Sequence, residues 1–96
     1  MFEHAVMFRF HDAKEAAVVQ EKLEALRGKI ETLRSLRCVT NTLQSERSSD
    51  LLLLTGFDDE AGYRTYDTHP LHVEVKQYIG TVASGSTTVD GWIDEE

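Results

Sequence analysis

Hydrophobic residues recur along the chain at two spacings, and each spacing predicts a type of element. In the segment 2–10 every second side chain falls on one face, which carries Phe2, His4, Val6, Phe8 and Phe10. A period of two predicts a β-strand. The opposite face carries Ala5 and Met7 before Arg9, and a sheet with one face in water does not need those apolar side chains.

The following segment has the spacing of a helix. Its apolar residues stand three and four positions apart and comprise Ala16, Val19, Leu23, Leu26, Ile30 and Leu33. Asp12, with Glu15 three residues later, resembles a capping box and predicts the start of an amphipathic helix. Gly28 is expected to weaken or end that helix.

Two apolar runs separated by a polar stretch predict a β-hairpin. Residues 36–43 are rich in β-branched and apolar side chains, residues 44–49 are polar, and residues 51–57 begin with four leucines. Leucines on both faces predict a central strand that is buried on both sides. Helices from this chain can cover only one face of the sheet, so we expect a second copy of the sheet to cover the other. This is the physical reason for predicting a homodimer.

The last third of the chain predicts two helices that meet at the only proline. The acidic pair 58–59 is suited to capping a short helix that ends at Tyr66. Pro70 cannot continue that helix but suits the first position of a new one, with Thr68 or His69 as its N-cap. The apolar positions of the new helix are Leu71, Val75, Tyr78, Ile79 and Val82.

The order of the elements predicts the fold class. A polar break at 84–86 is expected to end the last helix, and 87–93 predicts a final strand before a frayed acidic end at 94–96. The order strand, helix, strand, strand, helix pair, strand is the ferredoxin-like split βαβ arrangement of an α+β fold. Right-handed crossovers place the first and third strands in the centre. Two such sheets meeting face to face form a dimeric α+β barrel, with one domain per chain over residues 1–96.

Composition restricts the partners of this domain. The chain has 96 residues, of which 41% are hydrophobic and 28% are charged, and its formal net charge is -7. This acidic balance argues against nucleic acid and against an anionic membrane surface, because both call for clustered Lys and Arg. Cys38 is the only cysteine, which excludes an internal disulfide. Without an apolar run of spanning length or a signal pattern, the sequence predicts a cytoplasmic protein.

The candidate proton-transfer groups lie around the proline. Tyr66, His69 and His72 fall within one stretch of seven residues. His72 lies in the first turn of the predicted last helix, at the border of its apolar stripe, where it can face a space between helices and sheet. No histidine pair has the spacing of a known metal-ligand motif, so we expect no metal site.

Over nearly its whole length the chain resembles the stress-responsive A/B barrel, or Dabb, family. The resemblance rests on Glu3-His4-Ala5-Val6-Met7-Phe8-Arg9-Phe10, Leu26-x-Gly28-Lys29-Ile30, Asn41, Phe57, Tyr66-x-x-His69-Pro70-x-His72-Val73 and Val89-Asp90. The His-Pro-x-His motif is its most specific part. The resemblance implies a ferredoxin-like protomer and a homodimeric α+β barrel.

The same motif is similar to that of the plant polyketide cyclases related to olivetolic acid cyclase. In those enzymes a tyrosine and a histidine catalyse an intramolecular aldol condensation without a cofactor. The resemblance implies that Tyr66 and His72 are the catalytic pair and that the ligand is a small carbonyl compound. The side chains expected to bind this substrate are His4, Asp90, Val6 and Phe8.

The sequence departs from the cyclase pattern at several positions. Leu51 stands where the third strand of those enzymes has a histidine, and the aromatic residues of their first helix are replaced by residues such as Val18 and Val19. Val39 and Gly91 stand where the Dabb family often has Gly and Tyr. Substrate identity therefore does not carry over from the resemblance.

Three classes of function remain open. The first is a cofactor-free lyase, cyclase or isomerase that uses Tyr66 and His72 as acid and base. The second is a non-catalytic stress-associated dimer, in which these rings and His4 are packed, hydrogen-bonded interior residues and His69 is a helix cap. The third is a cofactor-free monooxygenase, which rests on fold analogy.

Overall fold

The computed structural model describes residues 1–94 as four strands and three helices. The strands are β1 (Phe2–Phe10), β2 (Ser35–Thr40), β3 (Leu51–Phe57) and β4 (Ala83–Trp92). The helices are α1 (Glu15–Glu24), α2 (Glu60–Asp67) and α3 (Pro70–Val82). This order confirms the predicted ferredoxin-like α+β fold. The acidic end was predicted to fray over residues 94–96, and Glu95 and Glu96 lie outside the described residues.

The strands form one antiparallel sheet in the order β2-β3-β1-β4. The first and third strands therefore occupy the centre, as predicted from right-handed crossovers. Across the sheet, Val6 of β1 lies opposite Leu53 of β3 on one side and Thr88 of β4 on the other. Directly opposed residues share a face, so these side chains mark the inner face, in which Val6 and Leu53 are buried and Thr88 is exposed.

The hydrophobic core fills the space between this inner face and the helices. Val19 and Leu23 of α1 are completely buried, as is Phe57 at the end of β3. The alternating residues of β1 that were predicted to share a face are buried in this core, apart from the partly buried His4. The period-two pattern of this strand is thereby confirmed.

The outer face of the sheet is apolar and open in the single chain. Met7 is 47% exposed, Val39 54% and Val89 74%. In the leucine run, Leu51 and Leu53 point inward and are buried, whereas their neighbours on the outer face are only partly buried. The helices therefore cover one face of the central strand, and its other face is available for a second protein surface.

Helix α1 is shorter than the apolar spacing predicted. It begins at Glu15 with Lys14 as N-cap, and no side chain caps it, so the predicted capping box is wrong. The carboxylate of Asp12 accepts a hydrogen bond from the Lys14 N–H at 3.0 Å, which stabilises a turn before the helix.

The segment after Glu24 continues as turns, not as helix. Gly28 has a φ of +75°, a left-handed conformation that glycine adopts at low cost. Leu26 and Ile30 are nevertheless buried, because spacings of three and four residues also keep side chains of successive turns on one side. The pattern thus predicted the buried positions correctly and the helix length wrongly.

Two strand ends also differ from the prediction. Strand β2 ends at Thr40, which pairs with Leu51, so residues beyond it have no partner in β3, and Leu43 is 82% exposed. Strand β4 begins at Ala83 and includes the polar stretch 84–86, because this stretch pairs with the end of β1. Backbone pairing overrides local propensity there.

The two helix starts near the functional motif follow the prediction. The Asp59 carboxylate accepts a hydrogen bond from the Gly62 N–H at 2.8 Å, which caps α2. His69 is the N-cap of α3, where its Nδ1 accepts from the Leu71 N–H at 3.1 Å. Pro70 then takes the first helical position, which fixes where α3 begins.

Candidate active site

A cleft of about 400 Å³ opens between the inner face of the sheet and helix α3. Its apolar lining consists of Val6, Phe8, Leu23, Leu53, Ile79 and Ala83. The remaining lining residues are His72, Lys76, Gly80, Ser84, Gly85 and Ser86. A concave, mostly apolar cavity with a few polar groups is the usual form of a small-molecule site.

His72 is held in one orientation by the end of helix α2. Its Nδ1 lies 3.1 Å from the carbonyl oxygen of Tyr66 and 3.2 Å from that of Asp67. These carbonyls belong to the last turn of α2, where the Tyr66 carbonyl also accepts a hydrogen bond from the His69 N–H at 3.1 Å. Because a carbonyl oxygen only accepts, Nδ1 carries the hydrogen, and Nε2 of the neutral ring keeps its lone pair.

The surroundings of His72 favour its neutral form. The residue is only 6% exposed, and this burial lowers the pKa of His72 below its ordinary value, with the hydrogen bond to the Asp67 carbonyl opposing the shift. Among the described residues none makes a hydrogen bond to Nε2. The cleft therefore contains an imidazole that is neutral at pH 7 and has a nitrogen able to accept a proton.

Tyr66 lies directly behind His72. The two rings are stacked, with centroids 4.0 Å apart and planes at 23°. Tyr66 is completely buried, and its hydroxyl has no hydrogen-bond partner among the described residues. Burial, reinforced by the nearby Tyr63 and Asp67, raises the pKa of Tyr66 far above its ordinary value, so the hydroxyl remains a protonated donor.

A second polar pair lies on the same sheet face, two residues along β1 from Val6. His4 faces Asp90 across the β1/β4 pairing, and the His4 Nδ1 is hydrogen-bonded to the Asp90 carboxylate. The ring of Tyr63 from α2 packs on the His4 ring with centroids 4.7 Å apart. The His4 side chain is 12% exposed and that of Asp90 is 41% exposed.

The structure brings some of the predicted site residues together and separates others. Val6, Phe8 and His72 line the cleft, and Tyr66 touches His72 from behind without lining it. His4 and Asp90 form their own pair outside the lining. The geometry thus gives one site that the mostly buried His72 lines and from which the tyrosine hydroxyl is separated.

Two residues of this region were missed in the sequence. Lys76 lines the cleft and lies four positions after His72, a helical spacing that places both side chains on one face. Tyr63 lies three positions before Tyr66 and closes the space above His4. Both residues could have been found from the helical period, which places Lys76 on the same face of α3 as His72 and Tyr63 on the same face of α2 as Tyr66.

A larger depression of about 530 Å³ shares Ser84, Gly85 and Ser86 with the cleft and is otherwise lined by Met7, Arg9, Ser49 and Thr87. It reaches Met7 of the outer face and is lined by none of the candidate catalytic residues, so the smaller cleft is the candidate site. Within residues 1–94 no group of three His, Cys, Asp or Glu side chains is arranged to hold a metal ion. Nor does this part of the chain contain a helix that is both long and apolar enough to cross a membrane.

A family model of the stress responsive A/B barrel domain matches residues 2–93. The chain belongs to this Dabb family. The match confirms the resemblance drawn from the sequence motifs and covers both the cleft and the His4–Asp90 pair. Among curated proteins, none matches this Dabb sequence.

Solved structures share the fold of this Dabb protein. A dimeric protein of unknown function from Bacteroides fragilis is 26% identical, has a TM-score of 0.82, and aligns over 96% of this chain and 95% of its own. A dimeric ferredoxin-like protein from Thermobifida fusca is 21% identical, with a TM-score of 0.84 and coverage of 96% and 90%. A hydroxynitrile lyase from Passiflora edulis is 12% identical, with a TM-score of 0.83 and coverage of 99% and 94%. At these low identities the last two establish the fold alone.

Proposed function

We propose that this Dabb protein is a cofactor-free lyase or cyclase that makes or breaks a carbon–carbon bond beside a carbonyl group, with His72 as general base. The observation that carries the proposal is the neutral His72 in the cleft, oriented through Nδ1 and with no hydrogen bond to Nε2 from residues 1–94. A base needs a positioned lone pair and a pKa near the working pH. The hydroxynitrile lyase from Passiflora edulis supports the proposal because a lyase there uses the same fold.

In the proposed reaction, Nε2 of His72 removes a proton from the carbon beside the carbonyl group, and the C–H electron pair forms an enolate. The Tyr66 hydroxyl is enclosed behind the His72 ring, so the proposal requires the two stacked rings to part when substrate binds; the hydroxyl then donates a hydrogen bond to the enolate oxygen, where negative charge develops. The enolate carbon then attacks a second carbonyl carbon, and the imidazolium returns the proton to the new alkoxide. Protons and electrons balance without an oxidant, a reductant or a cofactor.

The role of Tyr66 is supported by its unpartnered hydroxyl. A buried donor without a partner costs free energy, so its retention is expected where a ligand completes its hydrogen bond. His4 and Asp90 enter the proposal as contacts for a substrate that extends along β1 beyond Val6, because His4 lies on the same face two residues away.

We also propose that the protein is a homodimer that buries the outer face of the sheet. The exposed apolar side chains of that face and the dimeric relatives from Bacteroides fragilis and Thermobifida fusca support this assembly. Light scattering on the Met7→Glu variant should give a monomer mass, and Leu71→Glu, on the 37%-exposed Leu71 of α3, is the matched control. A dimer that tolerates Met7→Glu unchanged would place the interface elsewhere.

The catalytic proposal is tested by proton exchange, which needs no knowledge of the natural substrate. Acetophenone and 2,4-pentanedione are incubated with the protein in D₂O, and loss of the signal of the protons beside the carbonyl is followed by NMR. The matched variant is His72→Asn, whose side-chain amide can keep the hydrogen bond made by Nδ1 but lacks the Nε2 base. We expect the exchange rate above buffer to fall about 100-fold or more in this variant.

Two results would contradict the catalytic proposal. One is exchange by the wild type no faster than in buffer containing the same concentration of imidazole. The other is undiminished exchange by His72→Asn with its fold intact by circular dichroism. Either result would favour the alternative of a non-catalytic dimeric barrel.

A further inference from the structure

Among the described residues that line the cleft, one is charged, and it is a cation. Lys76 is the only Lys, Arg, Asp or Glu of this lining within residues 1–94, and its other polar members are His72 and two serines. A protein with a net charge of -7 repels anions in general, so this lysine, whose ion-pair partner Asp67 is not part of the lining, is a local exception. The lining therefore favours one class of charged ligand over the other.

The position of Lys76 relative to His72 is fixed by helix α3. The two residues are four positions apart, so their Cβ atoms are about 5–6 Å from each other on the same helix face. The Lys76 ammonium is oriented by the Asp67 carboxylate at 3.0 Å, and the backbone carbonyl of Asp67 also accepts from His72. One residue at the end of α2 thus orients both groups.

The Lys76 ammonium has capacity for a ligand. It carries three N–H donors, of which the Asp67 contact uses one. Its side chain is 43% exposed, so a ligand entering the cleft can reach it without first breaking the ion pair. A carboxylate that shares this ammonium with Asp67 gains a charge-assisted hydrogen bond.

We propose that Lys76 selects substrates that carry a carboxylate several bonds away from the carbon on which His72 acts. This inference rests on the proposed function, in that the cleft is taken as the substrate site. The substrate class is a small keto acid whose apolar body packs against Val6, Phe8 and Ile79. Lys76 is then a specificity-determining residue and takes no part in proton transfer.

The test compares 5-oxo-5-phenylpentanoate with its carboxamide, which has the same shape without the charge. Binding of each to the full chain is measured by isothermal titration calorimetry. We expect the carboxylate to bind at least fivefold more tightly to the wild type. Lys76→Met should remove this preference, Lys76→Arg should retain it, and the matched control Lys29→Met, which changes an exposed lysine of the turn after α1, should leave it unchanged.

Three results would overturn the inference: equal affinity of wild type for the two compounds, binding of neither, or a preference that survives Lys76→Met. Proton exchange on the same keto acid separates this question from the proposed function. A preference for the carboxylate that depends on Lys76, without proton exchange that depends on His72, would support the selectivity and refute the catalytic proposal. Equal affinity for the acid and the amide, with His72-dependent exchange on both, would refute the selectivity and support the catalytic proposal.

Discussion

Replacement of Tyr66 by phenylalanine should stabilise the protein, although it removes a polar group from the candidate catalytic pair. The Tyr66 hydroxyl is buried and has no hydrogen-bond partner among the described residues, so in the ligand-free state it contributes only a desolvation cost. Phenylalanine keeps the stacking of the ring on His72 and its contact with Phe57. The substitution therefore removes an unfavourable contribution and retains the packing.

The size of the effect follows from the cost of an unsatisfied buried donor, which is about 1–3 kcal/mol. The lower end, about 1 kcal/mol, is the appropriate expectation, because removal of the oxygen leaves a small void that weakens packing. For a domain of this length that corresponds to a rise in melting temperature of about 4–8 °C. The proton-exchange activity should move the opposite way and fall about 100-fold, since the donor to the enolate oxygen is lost.

Calorimetry of wild type and Tyr66→Phe measures the stability change, at one fixed protein concentration because the proposed dimerisation would make the melting temperature concentration-dependent. Tyr63→Phe is the control, since Tyr63 is only partly buried and its hydroxyl is not among the buried unpartnered atoms. It should change the melting temperature little. A loss of more than about 1 kcal/mol in Tyr66→Phe would show that the hydroxyl has a partner, such as an ordered water, and would refute the reasoning.

Three further predictions concern the same region. Because burial lowers the pKa of His72 below 6.5, the unfolded state binds the proton more readily than the folded state. The stability that the neutral His72 contributes is therefore present above pH 6.5 and is lost as the pH falls through the lower folded-state pKa. Melting temperatures measured from pH 7 to pH 5 should fall more steeply for wild type than for His72→Asn. A Cβ at Gly80 would meet open space, so Gly80→Leu should fill the cleft and abolish keto-acid binding in calorimetry. Gly80→Ala should retain binding and add about 1 kcal/mol of helix stability. Undiminished binding by Gly80→Leu would place the ligand elsewhere. Burial raises the pKa of the Cys38 thiol from 9.0 to about 11, so alkylation by iodoacetamide at pH 8 should be about 100-fold slower in the folded protein than in urea, and equal rates would contradict that.

The sequence predicted the fold well where periodicity and backbone pairing agree. The alternation along β1 identified a strand with one buried face, because successive side chains of a strand point to opposite faces, and the unbroken leucine run identified β3 as a central strand. The start of α3 followed from Pro70 and its His69 cap, which are local signals. The length of α1 did not follow, because the turns around Gly28 preserve the same apolar spacing as a helix.

The candidate site was only partly accessible from the sequence, because it depends on distances between elements. The motif drew attention to Tyr66 and His72, but only the structure places the imidazole at the cleft and the hydroxyl behind it. The interaction of His4 with Asp90 depends on the register between β1 and β4, which no local pattern specifies. Lys76 was predictable by helical period, yet its role depends on where the cleft opens.

Helix α3 passes into strand β4 between Val82 and Ala83 with no connecting loop. One wall of the cleft, from His72 to Ser86, therefore passes directly from helix into the sheet, where a register shift opposite Arg9 and Phe10 is the one irregularity in the described pairing with β1. Such a wall has no hinge segment of its own to swing over a bound molecule. Ligand exchange at this site should accordingly be governed by diffusion through the open mouth, with single-phase association in stopped flow and no slow closing step.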